Sequence, residues 1–338
     1  MKPTDFSKHL TDFLSKYLPG ERGLSANTIH SYKVTFILLI QFIEAEKKIP
    51  VTKLSLKDLT QDSVVEFLNW LQAVRQCSDS TRNVRLAALH SFFKFLQYSV
   101  PENLNEWQRI LSIRTKKSKK LSMSYLTLEG IKLLLAQPDL STKKGRRDLA
   151  LLALMYDSAA RVQEIVDLTP SSLRLTQPFT IKLVGKGNKA RIVPLMEQQV
   201  GHLRSYMEKN HLLQQHATVY PLFFNSRKEK LTRAGLHHIL QHYARMAREK
   251  ESNLIPDKIS PHSLRHSKAM HLLQAGVDLV YIRDILGHQS VQTTEVYARV
   301  DSKQKREAIE KAYSDVVKRE VPQWTDNIGL LDWLVSFR

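Results

Sequence analysis

Histidine and arginine side chains cluster within one short segment, SPHSLRHSKAMHLLQAG (260–276). His262 and His266 are four residues apart with Arg265 between them, so a helix would bring all three close together on one side. Paired histidines at this spacing occur in HExxH zinc enzymes, but that motif needs a glutamate where this chain has Ser263. Because the arginine would also repel a divalent cation, we expect no metal and no other cofactor. An arginine that binds phosphate oxygens beside a histidine that moves protons instead favours phosphoryl transfer.

Three other segments carry residues suited to the same chemistry: SAARVQEIVDL (158–168) with Arg161 and Glu164, FTIKLVGKGNKARIVPL (179–195) with Lys186, and LGHQSVQTTEVYARV (286–300) with His288 and Tyr297. A tyrosine hydroxyl can attack phosphorus, but its ordinary pKa of about 10 keeps it protonated at neutral pH. Ionising it there costs about 4 kcal/mol, so the nucleophile needs a base or a strongly cationic pocket. The histidines and arginines of these segments supply both.

The four segments, in this order, resemble those of the tyrosine recombinases, also called the phage integrase family. That family includes the bacterial recombinases that resolve chromosome dimers and the integrases of many transposons and integrons. An upstream segment, STRNVRLAALHSFFKFLQ (80–97), is similar to the family's core-binding domain. The resemblance therefore covers most of the chain, and it implies an N-terminal helical core-binding domain followed by a tyrosine-recombinase catalytic domain.

For binding of the scissile phosphate, the resemblance implies Arg161, Arg265 and His288. Donors fixed around the nonbridging oxygens stabilise the charge of the transition state, and removing one typically slows such a reaction about a hundredfold to a thousandfold. Glu164, one helical turn after Arg161, would orient that arginine or His262. The alternative for Glu164 is an exposed helix carboxylate.

For the bond-breaking step, the resemblance implies Tyr297 as the nucleophile and His262 as a proton shuttle. Lys186 would donate a proton to the leaving oxygen, and its two flanking glycines favour it over Lys189. His266, taken alone, is interpreted as a structural or supporting histidine. A phosphotyrosyl bond keeps the energy of the phosphodiester, so a second DNA end with a free 5′-hydroxyl could reverse the attack without ATP or metal.

The expected activity is site-specific recombination, through a 3′-phosphotyrosyl intermediate and a Holliday junction. The resemblance implies double-stranded DNA with inverted half-sites as the partner, bound by a homodimer that becomes a homotetramer in synapsis, with an accessory DNA-bending or directionality factor as an open question. Two alternatives remain: a DNA-binding protein of this fold without catalysis, and a topoisomerase-like or telomere-resolving enzyme. The complete set of six catalytic residues argues against the first, and the compact length argues against the second.

The sequence departs from the family pattern in two places. Ser158 and Ala159 replace the Thr-Gly pair that is common before the first arginine, and Gln163 replaces a frequent serine, which predicts a less pliant backbone. Lys268 stands where a bulky apolar residue is usual. It predicts either altered helix packing or a contact specific to the lysine.

The composition indicates a polyanionic partner. The 338 residues carry a formal charge of +18, with 51 Lys and Arg against 33 Asp and Glu, and nucleic acid is the usual partner of such a chain. The single cysteine, Cys77, excludes a disulfide framework and a multi-thiolate zinc site and fits a reducing compartment. No apolar run reaches the roughly 18 residues of a membrane span. We expect a cytoplasmic, nucleoid-associated protein that does not bind membranes.

Hydrophobic periodicity predicts a mainly α-helical fold with one small antiparallel β-sheet in the second domain. A helix is predicted over 25–44, capped by Ser25 or Asn27, and a stronger one begins at Ser80. The second helix is expected to bury an apolar stripe, namely Val84, Ala88, Leu89, Phe92, Phe93 and Leu96. Its opposite face is expected to present two DNA-binding arginines, Arg82 and Arg85. The runs on either side of GKGNK predict a β-hairpin.

Length and a break in the helical pattern predict two domains. The N-terminal domain is expected to span 1–113 and the catalytic domain 122–320. Between them, at 114–121, lies a basic linker with Lys116, Lys117, Lys119 and Lys120. These lysines either keep a hinge soluble or lie along a phosphate backbone. The apolar tail 321–338 could dock on its own domain or on a neighbouring subunit.

Overall fold

The computed structural model describes residues 3–117 and 124–300. The chain divides into two compact units, 1–121 and 122–338, and each has its own hydrophobic core. The predicted tail and the linker lysines Lys119 and Lys120 lie outside the described residues. Within the described ranges, no helix is both long enough and apolar enough to cross a bilayer.

The described residues of the N-terminal unit form helices joined by loops and turns, without a β-strand. Its α-helices are α1 (Asp5–Asp12), α2 (Ala26–Phe42), α3 (Gln61–Ala73), α4 (Asp79–Ser99) and α5 (Leu104–Leu111). Segments of π-helix, Phe13–Glu21 and Ile43–Lys47, continue α1 and α2. Ser25 is the N-cap residue of α2, which confirms one of the two predicted caps.

The helix predicted from Ser80 is α4, and it packs against α2, α3 and α5. The predicted residues from Ala88 to Leu96 are buried, and Phe92 lies among the aromatic rings of the core. Two predictions are wrong: Val84 is 47% exposed, and Arg82, expected on the outer face, is only 5% exposed. The prediction assumed that other helices cover α4 on one side only, which buries a single apolar stripe. The structure packs helices against α4 on several sides, so other positions are buried as well.

The second unit combines helices with one small sheet. Its α-helices are α6 (Leu128–Leu135), α7 (Lys143–Asp157), α8 (Val162–Val166), α9 (Glu197–Lys209), α10 (Arg233–Lys250), α11 (Pro261–Gln274), α12 (Leu279–Leu286) and α13 (Val291–Val300). The apolar run 149–155 in α7 is buried, as its composition predicts. This helix packs against both α9 and α11, so it lies at the centre of the unit.

The sheet has three antiparallel strands in the order β1 (Leu173–Arg174), β2 (Thr180–Val184) and β3 (Ala190–Pro194). The β2–β3 pair confirms the predicted hairpin, while β1 was not predicted. Ile181 and Val193 are partners across the hairpin, and both side chains are buried against the core. A 3-10 turn, Lys186–Asn188, joins the two strands, with Gly187 at a φ of 75° that favours glycine.

Candidate active site

The start of α11 presents the histidines and arginine of the first motif. Pro261 occupies the first turn, where its missing N–H removes no helical hydrogen bond. The backbone N–H of Ser260 donates to Oγ of Ser263 over 3.0 Å, which closes a capping box. Successive positions of the first two turns then place His262 exposed, Arg265 buried and His266 half-buried.

The Arg265 guanidinium is fixed by two backbone carbonyls. It donates from Nη1 to the carbonyl oxygen of Ala159 over 2.7 Å and from Nη2 to that of Leu286 over 2.6 Å. Burial, reinforced by the nearby positive charge of Arg161, lowers the pKa of Arg265 to about 10, which leaves it protonated at neutral pH. Ala159 adopts a φ of 48°, a left-handed conformation that is uncommon for any residue with a Cβ. The position where the family commonly has glycine therefore keeps the backbone conformation that glycine prefers.

A buried carboxylate joins Arg161 to a second arginine that the sequence motifs did not single out. Glu164 is only 5% exposed, which excludes the alternative of an exposed helix carboxylate. Its Oε1 accepts from Nη1 of Arg161 over 3.0 Å. Arg191 of β3 donates to both carboxylate oxygens, over 2.8 and 2.7 Å, and its Nε donates to the carbonyl oxygen of Ile285. Burial alone would raise the pKa of Glu164, but the hydrogen bonds from Arg191 and Arg161 hold that pKa below its ordinary value.

Arg191 was missed because its partners are distant in sequence. Strand alternation places it on the same inward side of β3 as Val193, next to the outward Ile192. A charged residue on the buried side of a strand requires a partner of opposite charge. That alternation is the one signal in the sequence that could have identified Arg191.

Arg161 and Arg265 converge on the end of α12. Arg161 donates from Nη2 to the carbonyl oxygen of Gly287 over 3.1 Å, and Arg265 binds the carbonyl oxygen of the preceding residue, Leu286. Gly287 has a φ of 64°, and a Cβ there would lie 3.0 Å from the Arg191 side chain. Three arginines and one carboxylate lie here, so this part of the protein has a net positive charge.

An open cavity of about 910 Å³ lies beside these arginines. Arg161, Arg191 and His288 line it, together with the glycines and Lys189 of the hairpin turn. A Cβ at Gly185 would lie 3.1 Å from Oε1 of Glu164, so a glycine lets the hairpin approach the arginine pair closely. The backbone of Lys186 lies in the 3-10 turn, and its side chain is outside the described part of the chain.

His288 follows Gly287 and is held by α13. Its Nδ1 lies 2.9 Å from Oγ1 of the buried Thr294. Burial and then the positive charges of Arg265 and Arg161 lower the pKa of His288 to about 4. The imidazole is therefore neutral at neutral pH, and it can donate a hydrogen bond to a phosphate oxygen from one ring nitrogen.

Tyr297 is buried beside the cavity and does not line it. The residue is 2% exposed, and its hydroxyl oxygen lies 2.9 Å from Nδ1 of His266. Burial raises the pKa of Tyr297, and the charge of Arg265 opposes this shift. The hydroxyl therefore holds its proton more firmly than the hydroxyl of a solvent-exposed tyrosine does.

Lys268 makes a contact specific to its ammonium group. Its Nζ lies 3.2 Å from Oδ1 of Asp157 and 4.8 Å from the centre of the Tyr156 ring. These contacts join α11 to the end of α7. Of the two alternatives for this departure from the family pattern, the structure supports the specific contact.

Two of the residues predicted to bind DNA, Arg85 and Lys116, have partners within the N-terminal unit. Arg85 donates from Nη1 to the carbonyl oxygen of Ser31 and to Oγ1 of Thr35, which joins α4 to α2. Lys116 donates from Nζ to Oε1 of Gln72, and its backbone pairs with the side chain of Asn83. Lys117 is exposed. DNA contact stays a prediction for Arg82, Arg85 and the four linker lysines. Within the described residues, no group of three or more His, Cys, Asp or Glu side chains could hold a metal.

Comparison with known proteins identifies the family. The model of the phage integrase family matches residues 124–304, and the model of the phage integrase N-terminal SAM-like domain matches residues 10–98. Tyrosine recombinase XerD of Listeria monocytogenes is 34% identical over 297 residues, which cover 86% of this chain and 93% of the relative. The chain belongs to the phage integrase family. Family membership makes it a tyrosine recombinase, an enzyme of site-specific DNA recombination.

Another relative is similar in sequence, and two solved structures are similar in fold. The Sinorhizobium fredii protein y4rC, named as an integrase/recombinase, is 33% identical over 302 residues, or 89% of this chain and 90% of that protein. XerH bound to its palindromic difH substrate has a TM-score of 0.66 at 24% identity, covering 86% of this chain and 81% of XerH. The Tn1549 transposon integrase, in complex with transposon right end DNA, has a TM-score of 0.67 at 14% identity, covering 88% and 97%. The two structures share the mainly helical fold with this recombinase.

Proposed function

We propose that this recombinase cleaves DNA by attack of the Tyr297 hydroxyl on the scissile phosphodiester. The attack forms a 3′-phosphotyrosyl bond and releases a 5′-hydroxyl, and attack by the 5′-hydroxyl of another strand reverses it through a Holliday junction. The observation that carries this proposal is the anchoring of Arg161 and Arg265 on the consecutive carbonyls of Gly287 and Leu286. The chain continues from this point into α13, which bears Tyr297.

Arg161, Arg265 and His288 would bind the phosphate. Arg161 and His288 line the cavity, and the positive charge around it attracts a phosphodiester anion. Arginine offers paired donors to two oxygens, so two arginines can follow the phosphate as it changes geometry in the transition state. Glu164 would position Arg161, because its carboxylate fixes both the backbone N–H and the guanidinium of that residue.

Lys186 and His262 would move the protons of the reaction. Lys186 lies in the turn between two glycines, and its ammonium group would protonate the departing 5′-oxygen. His262 is exposed at the start of α11, and the loss of solvent around its ring together with Arg265 and Arg161 lowers its pKa. A neutral imidazole close to the bound phosphate can accept a proton during the reaction and give it back.

The proposed partner is double-stranded DNA with inverted half-sites. One homodimer would bind each site, and two would join as a homotetramer in synapsis, with an accessory DNA-bending or directionality factor as a further partner. The palindromic substrate in the XerH complex supports inverted half-sites. The excess positive charge, including the linker lysines, supports binding to the DNA backbone. We place this activity in the cytoplasm, at the nucleoid.

The test is covalent capture of DNA. A substrate can be selected from random-sequence duplexes by attachment to the wild-type protein that survives detergent, and a nick near the cleaved bond then traps the intermediate. We expect adducts with the wild type and with Tyr281→Phe, which alters a tyrosine that is 68% exposed on α12. We expect none with Tyr297→Phe. Absence of any wild-type adduct, or an undiminished adduct in Tyr297→Phe, would contradict the proposal.

A further inference from the structure

The hydroxyl of Tyr297 contacts His266, not His262, which the family resemblance assigns as the proton shuttle. Nδ1 of His266 lies 2.9 Å from the phenolic oxygen, and the two rings are tilted by 54° with their centres 5.7 Å apart. The His262 ring is exposed, and its centre lies 6.3 Å from that of His266. From the sequence, His266 was interpreted as a structural or supporting histidine, without a contact to the reacting atoms.

Burial determines the direction of this hydrogen bond. Tyr297 is 2% exposed, so its O–H group needs an acceptor within the protein. Nδ1 of His266 provides one when the proton of the neutral ring is on Nε2. In that tautomer the lone pair on Nδ1 points at the proton that the tyrosine must lose.

We propose that His266 is a catalytic residue whose Nδ1 accepts the phenolic proton of Tyr297. This inference rests on the proposed function, because it assumes that Tyr297 is the nucleophile. In cleavage, the O–H electrons stay on the phenolic oxygen, which forms the bond to phosphorus, while the proton remains on Nδ1. The bond between phosphorus and the 5′-oxygen breaks with its electrons on that oxygen, which takes a proton from Lys186. In religation each proton returns.

The charges around the site match this role. Burial, followed by electrostatic interactions with His262 and Arg265 that disfavour a further positive charge, lowers the pKa of His266 to about 4, so the free protein holds the ring neutral and able to accept a proton. A bound phosphodiester places a negative charge among the same cations, which stabilises the imidazolium and raises the pKa of His266. The base therefore becomes stronger when the substrate is present. Arg265 is the adjacent residue, so one turn of α11 carries both the phosphate ligand and the proton acceptor.

A second tyrosine–histidine pair on the same helix provides a matched control. The Tyr156 hydroxyl oxygen lies 2.9 Å from Nδ1 of His271, which is five residues after His266 on α11. The distance and the pairing are the same, but the charged neighbours of Tyr156 are Asp157 and Lys268, whereas Tyr297 lies near Arg265. Loss of the His271 contact reports the structural effect of removing such a hydrogen bond.

The experiment measures single-turnover cleavage of the selected nicked duplex by His266→Ala, His266→Asn and His271→Ala. Asparagine can keep a polar atom near the Nδ1 position but does not titrate. We expect cleavage by both His266 variants to fall about a hundredfold or more, with DNA affinity close to that of the wild type, and His271→Ala to cleave normally. The wild-type rate should rise with pH to a plateau. The His266 variants should instead keep rising towards the pKa of the tyrosine, and added imidazole should restore part of the His266→Ala rate.

A substrate with sulfur at the bridging 5′ position separates the two proton transfers. Its thiolate leaves without a proton, so Lys186→Ala should regain cleavage on it, whereas His266→Ala should stay slow. The inference is wrong if His266→Ala cleaves within about threefold of the wild type, if His271→Ala is equally impaired, or if sulfur restores His266→Ala. If the wild type cleaves through Tyr297 and these results appear, the proposed function stands and only the role of His266 fails.

Discussion

Glu164 is the residue at which three elements meet. Its carboxylate receives donors from Arg161 at the start of α8 and from Arg191 on β3, and Arg191 also binds the backbone near the end of α12. A buried ion pair is stable only when each charge has its partner, and removal of one member leaves the others desolvated without compensation. This carboxylate therefore determines the positions of two guanidiniums next to the cavity.

Glu164→Gln should lower the free energy of unfolding by about 2 to 4 kcal/mol at neutral pH. The pKa of Glu164 is lowered in the folded state, so its stabilisation is present above the unfolded value of about 4.3 and is lost as the pH falls through the lower folded value. The difference in the free energy of unfolding between the wild type and Glu164→Gln should therefore become smaller in acid. Denaturant unfolding across pH measures it. Asp167→Asn is the control, because Asp167 pairs with Lys230 at the surface, and it should change stability by less than about 1 kcal/mol.

His288→Gln should make the protein less sensitive to mild acid. The folded pKa of His288 is lowered to about 4, so between that value and the unfolded value of about 6.5 the unfolded chain binds a proton that the folded chain does not. The wild type should therefore lose stability as the pH falls through this range. The variant should lose about 2 to 3 kcal/mol less than the wild type does between pH 6.5 and pH 4, measured by denaturant unfolding at both pH values. Identical pH dependence in the two proteins would contradict the neutral, partly buried state of His288.

Among the elements, the turn after α12 is the tightest junction of the site. Gly287 and Gly276 both have left-handed φ angles, but a Cβ at Gly276 meets open space, whereas one at Gly287 lies 3.0 Å from Arg191. Gly276→Ala should therefore cost about 1 kcal/mol in stability and leave cleavage unchanged. Gly287→Ala should cost more and slow cleavage about tenfold or more, because it displaces Arg191 and the carbonyl that Arg161 binds. Unfolding and cleavage assays test both, and equal effects of the two substitutions would contradict the packing described.

The sequence predicted those elements that depend on local patterns of residues. The apolar periodicity of 25–44 and the glycines around Lys186 predicted a helix and a hairpin, because periodicity and turn chemistry act within a few residues. The contacts of Arg191 and His266 reach residues 27 and 31 positions away, which no local pattern encodes. Arg82 was misplaced for a related reason, since several neighbours cover α4 and a single apolar stripe could not show this.

For the whole molecule, the charge of +18 should appear as salt-dependent DNA binding. The logarithm of the affinity for random-sequence duplex should fall linearly with the logarithm of salt concentration, by about 0.9 for each phosphate contacted. Changing the four linker lysines, Lys116, Lys117, Lys119 and Lys120, to alanine should reduce this slope by about 2 to 3 if the linker lies along the backbone. The control removes the same charge from the exposed lysines Lys8, Lys16, Lys53 and Lys57. An equal change in both variants would show that the linker is only a solvated hinge.

The central claim concerns one oxygen atom, the phenolic oxygen of Tyr297, and mass spectrometry of the trapped DNA adduct tests it most directly. Trypsin cuts after Arg283 and Arg299, which releases a peptide, 284–299, with Tyr297 as its one tyrosine. After nuclease digestion, we predict that this peptide carries a nucleotide joined through its 3′-phosphate to the phenolic oxygen. A nucleotide attached to any other residue, or a cleaved duplex without attached peptide, would contradict the account.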